Sequence, residues 1–336
     1  MKALVYTAPR TVEYRDIPDP HCQGDEILVR VSAVGICGSD MHAYLGHDAR
    51  RPAPLILGHE AAGIALSGRH KGAAVVINPL VSCNACVACL AGRGNLCASR
   101  EIISMAPRQG AFAQLVSIPE RNLVLVPDGM NQTTAALAEP MATAWHAVTK
   151  AASTAPRPLA EVHALVFGGG AVGFSAALCL RAQGCRQITL AETNELRRRT
   201  VKKADICRVV DPTEPDALGE NTVEVVIDCV GAKATRRGAT AAIQPGGVII
   251  HVGLSDGEDG MDVRKMTLQE VTFIGTYTYT MEDFRATVAA MNAGALGPLD
   301  WHEQRDLAEG GVAFEDLLAG RTASSKIILR PEGSPA

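Results

Sequence analysis

The chain is poor in aromatic residues, which make up 4% of its 336 positions. Few rings are therefore on hand to line a channel for a greasy ligand, though aliphatic side chains can do so. A basic excess is missing too: 32 Lys and Arg stand against 36 Asp and Glu, for a net charge of −4. No positive field exists to hold nucleic acid or an anionic membrane. No basic segment followed by an apolar one opens the chain at Met1, so no secretory leader and a cytoplasmic setting are expected. The one apolar stretch of membrane length, Val162 to Leu180, is interrupted by His163 and by Gly168-Gly169-Gly170. It reads as strand, turn and helix instead. Internal repeats and low-complexity segments are absent. The rest of the composition, 47% hydrophobic with mean hydropathy +0.09, is that of a globular chain with core enough for two domains.

Cysteine, by contrast, is plentiful. Of ten cysteines, four fall within fifteen residues: Cys83, Cys86, Cys89 and Cys97. Four thiols at these short intervals can close on one tetrahedral ion and leave no position for a substrate, so the segment is expected to be a zinc-stapled structural lobe without regular secondary structure. Gly92 and Gly94 let the last ligand fold back. A second set is sparser. Cys37-Gly38-Ser39-Asp40-Met41-His42 is followed by Gly58-His59-Glu60. A thiol, an imidazole and a carboxylate with a free fourth position suit a catalytic zinc. A buried cysteine beside two surface polar residues would give the same string. Cys22, Cys179, Cys185, Cys207 and Cys229 have no ligand spacing, and His47, His70 and His302 read as surface histidines.

Taken in order, residues 1–34 alternate as short strands punctuated by Pro9, Pro18, Pro20 and Gly24. Ser39 or Asp40 is placed to cap a short helix through Tyr44. Strand patterns return at 73–77, 110–116 and 123–126. A helical apolar run from Ala135 to Val148 carries Glu139-Pro140, with the proline at a first-turn position. Ser153 to Pro158 reads as a linker. From Val162 the pattern changes to alternating strand and helix: Val162–Phe167, a glycine turn, a helix to about Ala182, and the strand Gln187–Ala191. Further strands are expected at 209–210, 223–227, 247–252 and 271–274. This is a doubly wound α/β unit. Gly168-Gly169-Gly170-Ala171-Val172-Gly173 sits between strand and helix, the context in which such a turn lets a pyrophosphate approach backbone amides. Glu192 ends the next strand, where it can accept hydrogen bonds from an adenosine ribose. Arg197-Arg198-Arg199 reads mainly as an exposed charged helix face, with Arg197 counted among the cofactor residues. Glu192 would repel a 2′-phosphate, so NAD is expected over NADP. After Thr276 come helices near Met281–Met291 and Phe314–Leu318 and a last strand from Lys326, a tail expected to rejoin the first unit.

Together these strings resemble the zinc-containing medium-chain dehydrogenases almost end to end. The resemblance rests on Gly35 to Asp40, Gly58-His59-Glu60, the four cysteines, Glu139-Pro140 and the Gly168–Gly173 turn, in that order. It lies nearest the sorbitol, or polyol, branch, because the simple alcohol dehydrogenases carry a cysteine where Glu139 stands. Three departures are local. Residues 65–72 are shorter than the family's usual stretch, Gly72-Ala73-Ala74-Val75 replaces a Gly-Asp-Arg-Val, and Asn84 replaces a glycine.

The resemblance implies an α/β protein with a GroES-like, β-rich catalytic domain (1–143 and 277–336, with the zinc lobe at about 80–100). A Rossmann domain (144–276) is inserted in it. It further implies two zinc ions per chain, one catalytic and one structural, a small-molecule alcohol or polyol as partner, and a homo-oligomer, tetramer or dimer. Cys37 and His59 would hold the catalytic zinc, with Glu60 and Glu139 both open for the third protein position. By resemblance Ser39 takes the alcohol proton and His42 passes it to solvent, while Asp40 orients a ligand. The expected activity is hydride transfer between NAD and a secondary alcohol of a polyol, sugar alcohol or sugar acid. An L-threonine, butanediol or simple secondary-alcohol dehydrogenase is the nearest rival. A catalytically idle zinc-binding protein and a zinc-free quinone reductase are the others; the intact Cys37, Ser39, His59, Glu60 set argues against the first, and the presence of both metal sets against the second.

Overall fold

The computed structural model describes residues 1–331. Two large sheets of opposite construction carry the chain. Glu26–Gly35 pairs antiparallel with Glu60–Ala65, with Leu115–Pro119 and with Lys326–Arg330. Ala74–Ile77 and Leu123–Leu125 extend this seven-stranded sheet on one side and His302–Asp306 on the other. Two C-terminal strands thus sit in the sheet built by the N-terminal third. Lys2–Ala8, Thr11–Asp16 and Leu55–Ile56 form a small sheet beside it. Val29, Val31, Ile118, Phe112, Phe314, Ile327 and Leu329 fill the core between them.

The second sheet has six strands, all parallel. Its order is Arg208–Val210, Gln187–Ala191, His163–Phe167, Val223–Asp228, Ile243–His251, Thr272–Gly275. The chain starts in the middle, winds outward, then returns to the other side of His163–Phe167. A cleft opens at such a reversal, at the carboxyl ends of the strands. Helices cover both faces, which is why the strands are continuously apolar rather than alternating. On one face Ala138–Thr154 and Ala171–Ala182 pack with Met281–Asn292 around Met141, Phe174, Phe284 and Trp301. None of the described helices is long and apolar enough to cross a membrane.

Several local expectations need correction. The strand expected from Gly110 begins only at Leu115. Upstream, the amides of Gly110 and Phe112 donate to Ile56 and Leu57, so the segment crosses the small sheet instead of extending a ladder. The expected linker at Ser153 is the end of a helix, which runs to Thr154, with both hydroxyls donating back to the Lys150 carbonyl oxygen. The four-cysteine lobe is not devoid of regular structure. It holds a short helix, Val87–Leu90, a 3-10 turn, Gly94–Leu96, and a two-stranded root where Leu80–Val81 pairs with Glu101–Ile102. His302 is half-buried, not a surface group, with Nδ1 3.0 Å from the Leu299 carbonyl oxygen, and burial pulls its pKa down.

Candidate functional site

Cys37 lies at the exit of Glu26–Gly35, where the strand turns into the helix Gly38–Tyr44. The residue at the helix cap is Cys37 itself, not Ser39 or Asp40. Asp40 reaches back from the first turn and takes the Cys37 amide at 3.0 Å. Its other oxygen takes the Gly58 amide at 3.2 Å and stands 3.5 Å from His59 Nδ1. One fully buried carboxylate thus ties together the two chain segments that carry Cys37 and His59. Ser104 Oγ lies 3.3 Å from the same Nδ1, so Nε2 is the nitrogen left for a cation. Ser104 adopts a left-handed φ of 71°, and Arg51 secures its carbonyl oxygen at 2.9 Å. Arg51 is buried too. It donates to the Ser39 carbonyl oxygen at 3.3 Å and to Ser39 Oγ at 3.4 Å, with Asp48 at 2.7 Å as counter-charge.

The donor atoms of Cys37, His59 and Glu60 lie within 4.8 Å of one another. Lys326 Nζ stands 2.6 Å from each Glu60 oxygen, with its hydrogen bond directed at Oε1, and also donates to the Ile36 carbonyl oxygen at 2.9 Å. Glu60 Oε2 is buried and accepts no hydrogen bond. A side chain on Gly35 would reach within 2.1 Å of it, so the glycine is what admits the carboxylate. Glu139, the second residue of its helix, is buried and accepts from Tyr279 Oη at 2.8 Å.

The electrostatics are those of a cation site. Burial would raise the Asp40 carboxyl, but His59, Arg51 and the Cys37 amide hold it below its usual range. Burial would also lower His59, yet Asp40 and Cys37 pull it well up. Glu139 is pushed to about 7, by burial first and then by Glu60, against the pull of His59, Tyr279 and Lys326. Tyr279 is driven up by burial and by Glu139 and stays a hydrogen-bond donor. Lys326 is the cation that answers these buried acids. A buried carboxylate, a thiol and an oriented imidazole gathered within 4.8 Å fit a borderline metal such as zinc.

The lobe fits the same metal by different means. Sulfur–sulfur distances are 3.5 Å for Cys83–Cys97 and Cys86–Cys89, and 3.9 Å for Cys83–Cys89. A tetrahedral ion with Zn–S bonds of about 2.3 Å sets its sulfurs about 3.8 Å apart. Asn84 takes φ 57° and Gly92 φ 72°, the two left-handed turns that fold the segment back on itself. Amides of Ala85 and Cys86 bring the Cys83 thiol down to about 6, while desolvation and its neighbours drive Cys89 up to about 11.

At the second sheet, Gly168 has φ 99°, and a side chain on Gly173 would strike the Gly168 carbonyl at 1.9 Å. Gly170 caps the helix that begins with Ala171 and Val172, and a side chain there would meet nothing within 4 Å. That space at the helix N-terminus accommodates a diphosphate. Glu192 accepts the Gly169 amide at 2.6 Å and the Asn194 amide at 2.7 Å. The three arginines do not form one exposed face, as the sequence suggested. Arg198 is largely buried and paired with Asp211 at 2.8 Å, Arg199 pairs with Glu195, and Arg197 Nε is buried without a partner.

One dipeptide joins the two halves. Ser325 Oγ donates to the Gly169 carbonyl oxygen at 2.9 Å, and the next residue is Lys326, against Glu60. Consecutive Cα atoms are about 3.8 Å apart. The glycine turn and the Cys37–His59–Glu60 cluster are therefore close neighbours. Ser39 and His42, three apart on the short helix that follows Cys37, are both half-buried.

Residues 23–128 match the alcohol dehydrogenase GroES-like domain, and residues 171–293 match the zinc-binding dehydrogenase domain. An L-galactonate-5-dehydrogenase from Escherichia coli K12 is 33% identical over 312 residues, 88% of either chain. The chain belongs to the zinc-binding dehydrogenase family. A sorbitol dehydrogenase from Bacillus subtilis 168 is also 33% identical, over 297 residues that cover 83% of this chain and 82% of that one. A structure of a short chain alcohol dehydrogenase from Escherichia coli CFT073, complexed with NADH, superimposes with a TM-score of 0.89 over 98% of this chain and 99% of that one. At 21% identity it speaks for the fold alone. The two-domain GroES-like and Rossmann architecture and the dehydrogenase class are thereby established.

Proposed function

We propose that the protein oxidises a secondary alcohol of a polyol, sugar alcohol or sugar acid with NAD, using a catalytic zinc held by Cys37 and His59 with Glu60 or Glu139. A second zinc is held by Cys83, Cys86, Cys89 and Cys97. In this reading residues 1–143 and 277–336 form the catalytic unit and 144–276 the cofactor unit, in a cytoplasmic homo-oligomer. The observation that carries it is the Ser325-Lys326 dipeptide, which touches the glycine turn with one side chain and the acid cluster with the next. Two relatives named for L-galactonate and for sorbitol support the substrate class.

The chemistry supplied by the bound groups is polarisation of an alcohol oxygen and acceptance of a hydride. The chain's own part is arrangement. Asp40 and Ser104 fix the His59 ring. Lys326 holds Glu60 in an ion pair, and Tyr279 holds Glu139 from the other side. Ser39 takes the alcohol proton, and its hydroxyl is oriented for this by Arg51, which occupies one lone pair. His42, one turn on, delivers the proton to solvent. Gly168, Gly170, Ala171, Val172 and Gly173 receive the diphosphate. Glu192, with two amides bound, still has lone pairs for ribose hydroxyls, and Arg197 offers an unpaired Nε to the cofactor. Arg198 is engaged by Asp211, and the Glu192 carboxylate would repel a 2′-phosphate, which favours NAD.

The test is an NAD-reduction screen of the purified enzyme against sugar alcohols, sugar acids, threonine, butanediol and simple primary alcohols. Turnover of polyols or sugar acids is expected. Strong turnover of primary alcohols, with none on any polyhydroxy compound, would reject the assignment.

A further inference from the structure

The segment Tyr277-Thr278-Tyr279 is bent in an unusual way. Thr278 is β-branched and yet has φ 47°, a left-handed conformation that such residues avoid. Strain of this kind persists where the surroundings over-determine it, and it clusters at ligand sites. Its effect here is to send two neighbouring tyrosines to different places. Tyr279 points inward to Glu139. Tyr277 lies under the Arg100 guanidinium, 4.7 Å from the ring centroid, with its carbonyl oxygen held by Asn95 at 2.9 Å. Thr278 Oγ1, between them, is buried and has no hydrogen-bond partner.

The facing loop has the same division. Arg51 turns inward to Ser39, while its neighbour Arg50 stays outside with 57% of its side chain exposed. Arg50 lies near Tyr277. Both Arg50 and Arg51 share the single carboxylate of Asp48, which leaves an excess positive charge. Arg100 has no acidic partner among the described residues and donates only to the Cys97 carbonyl oxygen, at 2.9 Å. Arg50 is thus the chain neighbour of the residue that touches Ser39, and Tyr277, with Arg100 over its ring, is two residues from the one that touches Glu139, with the unused Thr278 hydroxyl between them.

We propose that the substrate is a polyhydroxy acid and that Arg50, Arg100 and Tyr277 form the rim that holds its carboxylate. The inference rests on the polyol or sugar-acid reading above. Guanidinium groups match a carboxylate in shape and charge, whereas a neutral alditol offers them nothing comparable. The carboxylate takes no part in the reaction: the carbinol C–H leaves as hydride to NAD, the O–H proton departs, and a ketone remains.

The experiment compares kcat/KM for aldonates and for alditols of the same carbon number, in the wild type and in Arg100→Gln and Arg50→Gln. Zinc content and Tm confirm folding of each variant. Wild-type enzyme is expected to favour the aldonates by about tenfold or more, as a charged hydrogen bond allows. Each substitution is expected to shrink that ratio by about tenfold, through KM rather than kcat. The aldonate KM should also rise with ionic strength, as contacts to exposed arginines are screened. Equal or better turnover of alditols, or a ratio that neither substitution moves, overturns the rim and leaves the dehydrogenase reading standing. Turnover of neither class overturns both.

Discussion

The two candidate metal sites are built on opposite plans. The lobe takes all four thiols from one short segment, Cys83 to Cys97, and leaves Cys83 exposed and Cys86 and Cys89 half-exposed. It is held by backbone turns and by amides, and the charged group that reaches it, Arg100, donates to the Cys97 carbonyl oxygen and not to a thiol. The Cys37 centre gathers its groups from the end of one strand, the start of another and a distant helix, and surrounds them with buried charges: Asp40, Glu60, Glu139 and Lys326. The first plan depends on the metal for its shape, because little else fixes it. The second is preorganised by hydrogen bonds before any metal arrives. A site that must keep one position open for chemistry needs that rigidity, and a closed one does not.

The contrast is broken most easily at the lobe. Cys97 is the lobe's one buried thiol, and Cys97→Ser removes a quarter of the tetrahedron. Structural zinc sites carry on the order of 10 kcal/mol of binding free energy, so Tm should fall by roughly 10 °C or more with loss of one zinc. A fully stable variant without turnover would contradict a structural role. Smaller is the expected effect of Lys326→Met. It leaves Glu60 as an unanswered buried charge and should cost about 3–5 kcal/mol in denaturant unfolding. Glu60→Gln in the same chain should restore much of that. If Lys326→Met proves neutral, the pair is not what positions Glu60. The smallest effect is expected at the cofactor. Glu192→Ser should shift the kcat/KM ratio of NAD to NADP by about tenfold toward NADP, near 1.4 kcal/mol. A wild type that already prefers NADP would mean that Arg197 dominates Glu192.

The same contrast explains what could be read in the sequence. The lobe was legible because its ligand spacing is its geometry, and Asn84 and Gly92 turn left-handed where spacing requires a fold-back. The glycine turn was legible for a similar reason, since Gly168 and Gly173 are demanded by φ and by a backbone contact five residues away. Cys37, His59 and Glu60 were visible as a set, but their supports were not. Tyr279 meets Glu139 across 140 positions and Lys326 meets Glu60 across 266. No local pattern announces such contacts. A lysine heading the otherwise apolar strand Lys326-Ile327-Ile328-Leu329 was the one available hint. Ser104 and Arg51 gave none, as their side chains meet His59 and Ser39 across 45 and 12 positions. The arginine run misled because charge alone does not say that Arg198 turns inward to Asp211.

The division of labour between the two sites is tested most directly by counting zinc in the wild type and in His59→Asn, alongside Tm and NAD-dependent turnover. With two ligand sets present, the wild type should carry two zincs per chain and His59→Asn one. Its Tm should stay within a few degrees, and turnover should fall by roughly a thousandfold or more. A wild type that turns over without metal, or a His59→Asn variant that keeps both ions and full activity, would contradict the account.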